Sequence, residues 1–341
     1  MKEKTIIISD IEMGRGDIMD DFTSDTELAG FMNKIVKDNP DASLTLVLNG
    51  DIFDFLKMAY KGAYPRHITA EISLWKLNEV MRCHPTVFTA LKKFLEKGNN
   101  KIHFVIGNHD ADLVWPALQE TIKKSLGNNK NICFDFWYRQ NGVHVEHGHL
   151  HDPFFQIRTT SPLSRYRGKI ILNTPFGANI CSSYLVDLKR KFPHEEKIFP
   201  KHLIFKTNPD IKKFKKQITK KIIVRDLLIN PFLKFYDPTR HVPYKSLIGH
   251  VLRYGTEVLD DQKLLPRLLR NMVKKHPQNN VYVIGHAHLF GKHNYKNRLI
   301  FCTDTWRDEY DAANNMQRKP KSYAEITWHN GKMTSAELKT L

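Results

Sequence analysis

Residues 101–110 read KIHFVIGNHD, an apolar run that breaks off abruptly into Asn, His and Asp. Short apolar runs bounded by polar punctuation are how buried strands appear in a sequence. The same form recurs as TIIISD (5–10), LTLVLNGD (44–51), GVHVEHGH (142–149), VYVIGHAH (281–288) and LIFCTD (299–304). Between the second and third runs, residues 68–100 carry apolar side chains at helical spacing, interrupted at Pro85 and closed by Gly98. Strands alternating with helices predict a layered α/β core. Asn141-Gly142 and Asn330-Gly331 each separate two strand-like runs, which predicts two hairpins and a mixed sheet.

From about residue 156 to 278 the pattern of strand and polar cluster stops. Helical stretches such as IKKFKKQITKKIIVRDLLIN (211–230) and DQKLLPRLLRNMVKK (261–275) replace it. The expected organisation is a core in two parts, 1–155 and 279–341, with an inserted basic helical cap over 156–278. The cap is where charge concentrates. The chain carries 53 Lys and Arg against 36 Asp and Glu, a net +17, and residues 181–240 alone hold 15 basic and six acidic residues. Such a balance suits an anionic partner: nucleic acid, a phosphorylated metabolite or an acidic lipid surface.

Four widely spaced cysteines, Cys83, Cys133, Cys181 and Cys302, form no CxxC pair, so neither a zinc knuckle nor a disulfide framework is expected. The first strand begins by Thr5 and no run approaches the roughly 18 apolar residues of a spanning helix. The expectation is a soluble protein of a reducing cytoplasm, with peripheral membrane contact left open.

Ligands of α/β sheets sit outside the carboxyl ends of the strands. At those ends stand Asp10 and Glu12; Asp51 and Asp54; Asn108, His109 and Asp110; His147 and His149; and His286 and His288. Carboxylates, imidazoles and one amide oxygen gathered at one sheet edge are the donor set of two divalent cations. Two such ions clamp the attacking and leaving oxygens of an in-line displacement at phosphorus, which makes phosphoester hydrolysis the expected reaction.

With these residues in view, the chain resembles the calcineurin-like metallophosphoesterases, whose ordered signature is D-x-H, GD-x-x-D, GNH-D/E, a lone strand His and GH-x-H. Here the blocks read DIE, GDIFD, GNHD, His147 and GHAH, in that order. The resemblance implies a layered sandwich of mixed sheets flanked by helices, with an inserted cap. It assigns Asp10, the residue at 12 and His288 to a first metal, Asp51 to a bridge, and Asn108, His147 and His286 to a second metal. A metal-bridging hydroxide would attack the phosphorus, and His109 would face the scissile phosphate, with Asp110 orienting its other nitrogen. Asp54 reads as supporting or structural, and His149 and His151 as supporting, substrate-facing or bland.

Glu12 departs from the signature, where histidine is usual. Residues i and i+2 of an extended segment project the same way, so its carboxylate still reaches a metal beside Asp10. An oxygen ligand in place of imidazole moves the expected preference to manganese, with iron, zinc and magnesium as the alternatives. The loop MGRGDIMDDF (13–22) holds three acids best explained by capping, and in DTWRDEY (304–310) Trp306 and Arg307 read equally as pocket lining or as a core Trp beside a surface Arg.

The stretch 211–222 places Ile211, Phe214, Ile218 and Ile222 on one helix face and lysines on the others, as in a membrane-surface helix, a phosphate-tracking helix or a solvated cap. Within the family, a core with a helical insertion is distantly similar to the UDP-2,3-diacylglucosamine hydrolases. That favours a nucleotide or lipid-linked phosphodiester or pyrophosphate. A nuclease is the alternative, and a scaffold with a weakened first metal site a further one.

Overall fold

The structure, a computed structural model, describes residues 2–200, 203–204, 207–242, 244 and 261–341. The parts of the expected cap at 201–202, 205–206, 243 and 245–260 lie outside the described residues. All six apolar runs are strands: β1 (Lys2–Ile8), β2 (Ser43–Asn49), β3 (Lys101–Val105), and, after two further strands, β4 (Ile132–Asp135) and β5 (Tyr138–Gln140), β6 (Val143–Glu146), then Val281–Ile284 and Arg298–Thr303.

They divide into two sheets. In the first, β1, β2, β3 and β4 run parallel, and Ser322–His329 pairs antiparallel with β1 and with the outermost strand Lys332–Thr340. In the second, β6, Val281–Ile284 and Arg298–Thr303 run parallel, flanked by antiparallel partners, β5 on one side and Phe290–Tyr295 on the other. Both expected hairpins form. Asn141, Gly142, Asn330 and Gly331 all have positive φ, the backbone that a tight two-residue strand connection requires.

The period of two along each strand builds the layers. Ile7, Val47, Val105, Ala324, Ile326 and Trp328 of the first sheet pack against Val143, Val145, Val281, Val283 and Phe301 of the second. The alternate residues of the first sheet, such as Ile6, Leu46 and Phe104, meet helices α1 (Asp25–Asp38), α2 (Ala70–Cys83), α3 (Pro85–Glu96) and α4 (Pro116–Ser125). In α3 the buried residues Val87, Phe88, Leu91, Phe94 and Leu95 follow the helical stripe, and Pro85 occupies the first turn, where its missing N–H costs nothing. On the far face, Tyr282, Ile284 and Ile300 pack under Leu268, Leu269, Met272 and Val273 of the helix Asp261–Lys275. Although it closes the stretch expected to form the cap, this last helix is a layer of the core.

His84 sits at the break between α2 and α3 and clamps two other segments. Its Nε2 lies 3.0 Å from Asp20 Oδ2 and its Nδ1 2.8 Å from Asp25 Oδ1 at the start of α1. Asp20 in turn accepts from the N–H groups of Gly14, Gly16 and Phe22. The acid expected to cap a helix therefore caps its own loop. Burial lowers the His84 pKa, but the two carboxylates outweigh it, and the net shift is upward. Stability from this clamp is complete below the unfolded value of about 6.5 and is lost as pH rises through the higher folded value. The difference in urea midpoint between wild type and His84→Gln is expected to be larger near about pH 6 than near about pH 9; equal differences would show that His84 only packs.

Candidate metal centre

The strand ends turn into the site through backbone that side chains rarely adopt. Asp10 and Glu12 have φ of 54°, Asp51 51°, His286 65°, His288 49° and Asp304 55°. Each such residue costs about 1–3 kcal/mol and persists where its surroundings fix it. Here Asp10 N–H donates to Gly50 O at 3.1 Å, Glu12 N–H to Asp51 O at 2.9 Å, and His286 N–H to both Asp10 carboxylate oxygens at 3.2 Å. The motif glycines make room: a Cβ on Gly107 would lie 2.1 Å from Asp51 Oδ1, and one on Gly285 2.4 Å from Asp10 Oδ2.

Two clusters result. Around His288, Nε2 lies 3.2 Å from Asp10 Oδ1 and 3.3 Å from Glu12 Oε1. Around His147, Nε2 lies 3.0 Å from Asp51 Oδ2 and 3.9 Å from Asp10 Oδ1, and Asp51, His147 and His286 offer ligand atoms within 4.8 Å of one another. Asp10 is the carboxylate that faces both imidazoles. Asn108 Oδ1 is buried without a hydrogen bond, an acceptor in want of a positive partner.

The imidazoles are held from behind. His147 Nδ1 bonds Asn49 O at 3.0 Å, His288 Nδ1 faces Glu309 Oε1 at 3.1 Å, and His286 Nε2 faces Asp152 Oδ2 at 3.0 Å. Such partners fix ring orientation and leave the other nitrogen for a ligand. Asp152 and Glu309 were not singled out in the sequence, although the first follows HGHLH directly and the second ends WRDE. The carboxylates also call for cations. Burial lowers the His147 pKa, but Asp51 and Asp10 lift it to about 9. A site that draws protons this strongly, with an orphaned amide oxygen beside it, fits divalent ions.

Glu12 divides its two oxygens. Oε1 faces His288, while Oε2 takes Arg307 Nη1 at 3.0 Å and Lys57 Nζ at 3.3 Å. Burial raises its pKa, yet Arg307, Lys57 and His109 outweigh that and hold it well below the usual carboxylate range. Lys57 is buried and also meets Glu196 at 2.6 Å, Asp54 at 2.9 Å and Asp21 at 3.7 Å. Glu196 comes from the stretch expected to form the cap, as does Lys189, which pairs with Asp21. Arg307 is no surface residue: it also bonds Glu309 at 2.7 Å and Glu196 O at 3.3 Å, whereas Trp306 is fully buried and donates to Ser322 O.

One expected role moves. The carboxylate that orients His109 is not Asp110 but Asp54, 2.9 Å from His109 Nδ1. Asp110 is turned inward, where Oδ1 accepts from Gly107 N–H and Oδ2 from Ile52 N–H, each at 2.7 Å. Burial and the Asp51 charge push its pKa up to about 7. Burial lowers that of His109, but Asp54, Asp51 and Glu12 lift it to about 10. His151 pairs with Glu146. His149 is buried beside His147 and His286, ring centroids 5.4 and 6.5 Å away, with neither nitrogen hydrogen-bonded.

A fold of two facing sheets with this edge is that of metal-dependent phosphoric ester hydrolases. The chain belongs to the calcineurin-like phosphoesterases, whose family model matches residues 4–312. No curated protein matches its sequence. Similar solved structures include a predicted phosphoesterase from Streptococcus pneumoniae TIGR4 (7% identity, 100% of this chain and 99% of that one, TM-score 0.31). An archaeal phosphodiesterase (11%, 99% of each chain, 0.34) and vacuolar protein sorting 29 from Cryptosporidium parvum (10%, 100% and 98%, 0.35) are others. At these scores the likenesses carry no argument of their own.

Placing histidine at position 12 would restore the family signature and break the charge balance behind it. Glu12→His is expected to destabilise the fold by about 3 kcal/mol, because Arg307 and Lys57 lose a buried counter-charge. Adding Arg307→Leu is expected to return part of that loss in urea unfolding, and additive losses in the double variant would refute the coupling.

Proposed function

We propose that this protein is a dimetal hydrolase of phosphodiesters or pyrophosphates, on a nucleotide or lipid-linked substrate. Asp10, Glu12 and His288 serve the first ion, Asp51 the bridge, and Asn108, His147 and His286 the second ion. The observation that supports this is the gathering of Asp10, Glu12 and His288, and of Asp51, His147 and His286, in two adjacent clusters, with Asn108 Oδ1 buried and unbonded and the His109 ring held by Asp54. When bound, the ions neutralise and polarise the phosphoryl oxygens. His109, held by Asp54, donates its proton to a phosphoryl oxygen or to the leaving group. Manganese is the preferred ion because Glu12 supplies oxygen where the family signature has nitrogen, with iron, zinc and magnesium as alternatives. The insertion within 156–278 acts as the cap over this edge, bringing Glu196 and Lys189 against the core. The location is cytoplasmic, with membrane contact through the cap; four free cysteines, and described helices none of which is long and apolar enough to cross a membrane, are in keeping with this. A nuclease is the second reading, favoured by the net charge of +17.

The test is metal content measured beside hydrolysis of chromogenic phosphomonoester and phosphodiester substrates, with manganese, zinc or magnesium added back. Two ions per chain and manganese-driven diester hydrolysis that Asp51→Asn abolishes are expected; full activity in that variant would overturn the dimetal assignment. His109→Ala is expected to lower turnover by about 100-fold or more while metal content holds, and parallel loss of both would make it a ligand instead. Salt-sensitive binding and cleavage of DNA would move the nuclease reading ahead.

A further inference from the structure

The helical stretch that begins at Pro209 changes its exposed side halfway along. In Pro209–Lys221 the arrangement is ordinary: Ile211 and Ile218 are buried with Tyr184, Leu188 and Ile204, and lysines face solvent. The helix continues through Ile222–Ile229 and Asn230–Leu233, and there the buried residues among the described side chains, Asp226 and Asn230, are polar. Asp226 accepts from Tyr184 Oη at 2.5 Å and from Asn230 Nδ2 at 2.9 Å, and Arg240 donates to Asn230 Oδ1 at 3.0 Å. Asp226 and Asn230 are 2% and 1% exposed. The outward side carries Val224, Leu228 and Phe232, followed past the helix end by Phe235 and Tyr236. Leu228 is 60% exposed, Phe232 73%, Phe235 80% and Tyr236 79%. Isolated apolar side chains at a surface need no explanation, but a contiguous row of them does.

The row is continuous with the basic one. Lys212, Lys216, Lys220, Val224, Leu228 and Phe232 succeed each other at intervals of four, so the exposed side of the helix runs from three lysines into three apolar residues. Arg225 and Lys234 flank the apolar end, and Lys234 Nζ lies 5.2 Å from the centre of the Phe235 ring.

We propose that this face docks on an anionic lipid bilayer, the aromatic end entering the headgroup boundary and the lysine row lying along the acidic surface. The charge sets the choice of occupant. Apolar and aromatic side chains beside a lysine row match a surface that is greasy below and negative above. A nucleic acid would use the lysines and leave Leu228 and Phe232 in water. A second copy of this chain would bring like-charged rows together. The proposal deepens the lipid-linked reading above, on which its purpose rests. The basic helix is tied to the site end of the insertion, since Lys215 Nζ meets Glu195 Oε1 at 2.7 Å and the adjoining Glu196 meets Lys57. Docking would thus hold the metal edge near the membrane surface.

The experiment is flotation of the full chain with phosphatidylcholine vesicles, with and without about a third phosphatidylglycerol. Binding is expected to the anionic vesicles and to weaken with salt. The triple variant Phe232→Ser/Phe235→Ser/Tyr236→Ser and the triple variant Lys212→Glu/Lys216→Glu/Lys220→Glu are each expected to lose at least about tenfold in partitioning. Both change exposed side chains outside the catalytic machinery, so hydrolysis of a soluble chromogenic diester is expected to be unchanged. Asp51→Asn is expected to float as wild type does, so failure of the hydrolase reading and failure of docking are separable. No flotation with anionic vesicles, flotation indifferent to the aromatic triple variant, or a stable dimer that the same variant dissolves would each overturn the proposal.

Discussion

The constraint behind this molecule is an excess of buried carboxylate at one edge of two sheets. Asp10, Glu12, Asp21, Asp51, Asp54 and Glu309 are all nearly inaccessible to water, and charges so placed need partners. On one flank the protein supplies them: Lys57, Lys189, Arg307 and Lys319 interlock with Asp21, Asp54, Glu12, Asp304 and Glu309. On the other flank it supplies imidazoles, whose ring nitrogens accommodate a proton or a metal. Glu12 lies on the boundary, with one oxygen on each side.

The same balance ties the insertion to the core. Lys189 and Glu196 reach into the ionic cluster from outside the sheets, while Ile157 and Leu172 join the apolar core itself. Ile211, Ile218, Tyr184 and Leu188 form a separate cluster.

Much of the core was legible because its signals are local. A strand of period two, a motif glycine and an Asn-Gly turn each act within a few residues, and the six strands and both hairpins lie where those signals stand. The site was legible at the strand ends for the same reason. What escaped depended on distance in space. Nothing in GNHD reveals that Asp110 turns toward its own backbone while Asp54, more than fifty residues earlier, takes His109. Arg307 reads as a surface residue until the loop carrying it folds against Glu12. The stripe read from the sequence ends at Ile222. Only the structure shows Asp226 and Asn230 buried beyond it and Val224, Leu228 and Phe232 exposed.

The left-handed backbone at Asp10, Glu12, Asp51, His286 and His288 has a consequence beyond geometry. Strain at each strand end and repulsion among the carboxylates are both present before any cation arrives, and an ion that binds only the folded chain offsets them by mass action. On the dimetal reading, the lifetime of the folded protein in a cell becomes coupled to metal supply: scarcity removes not only the catalyst but the counterweight that keeps its strand ends in place.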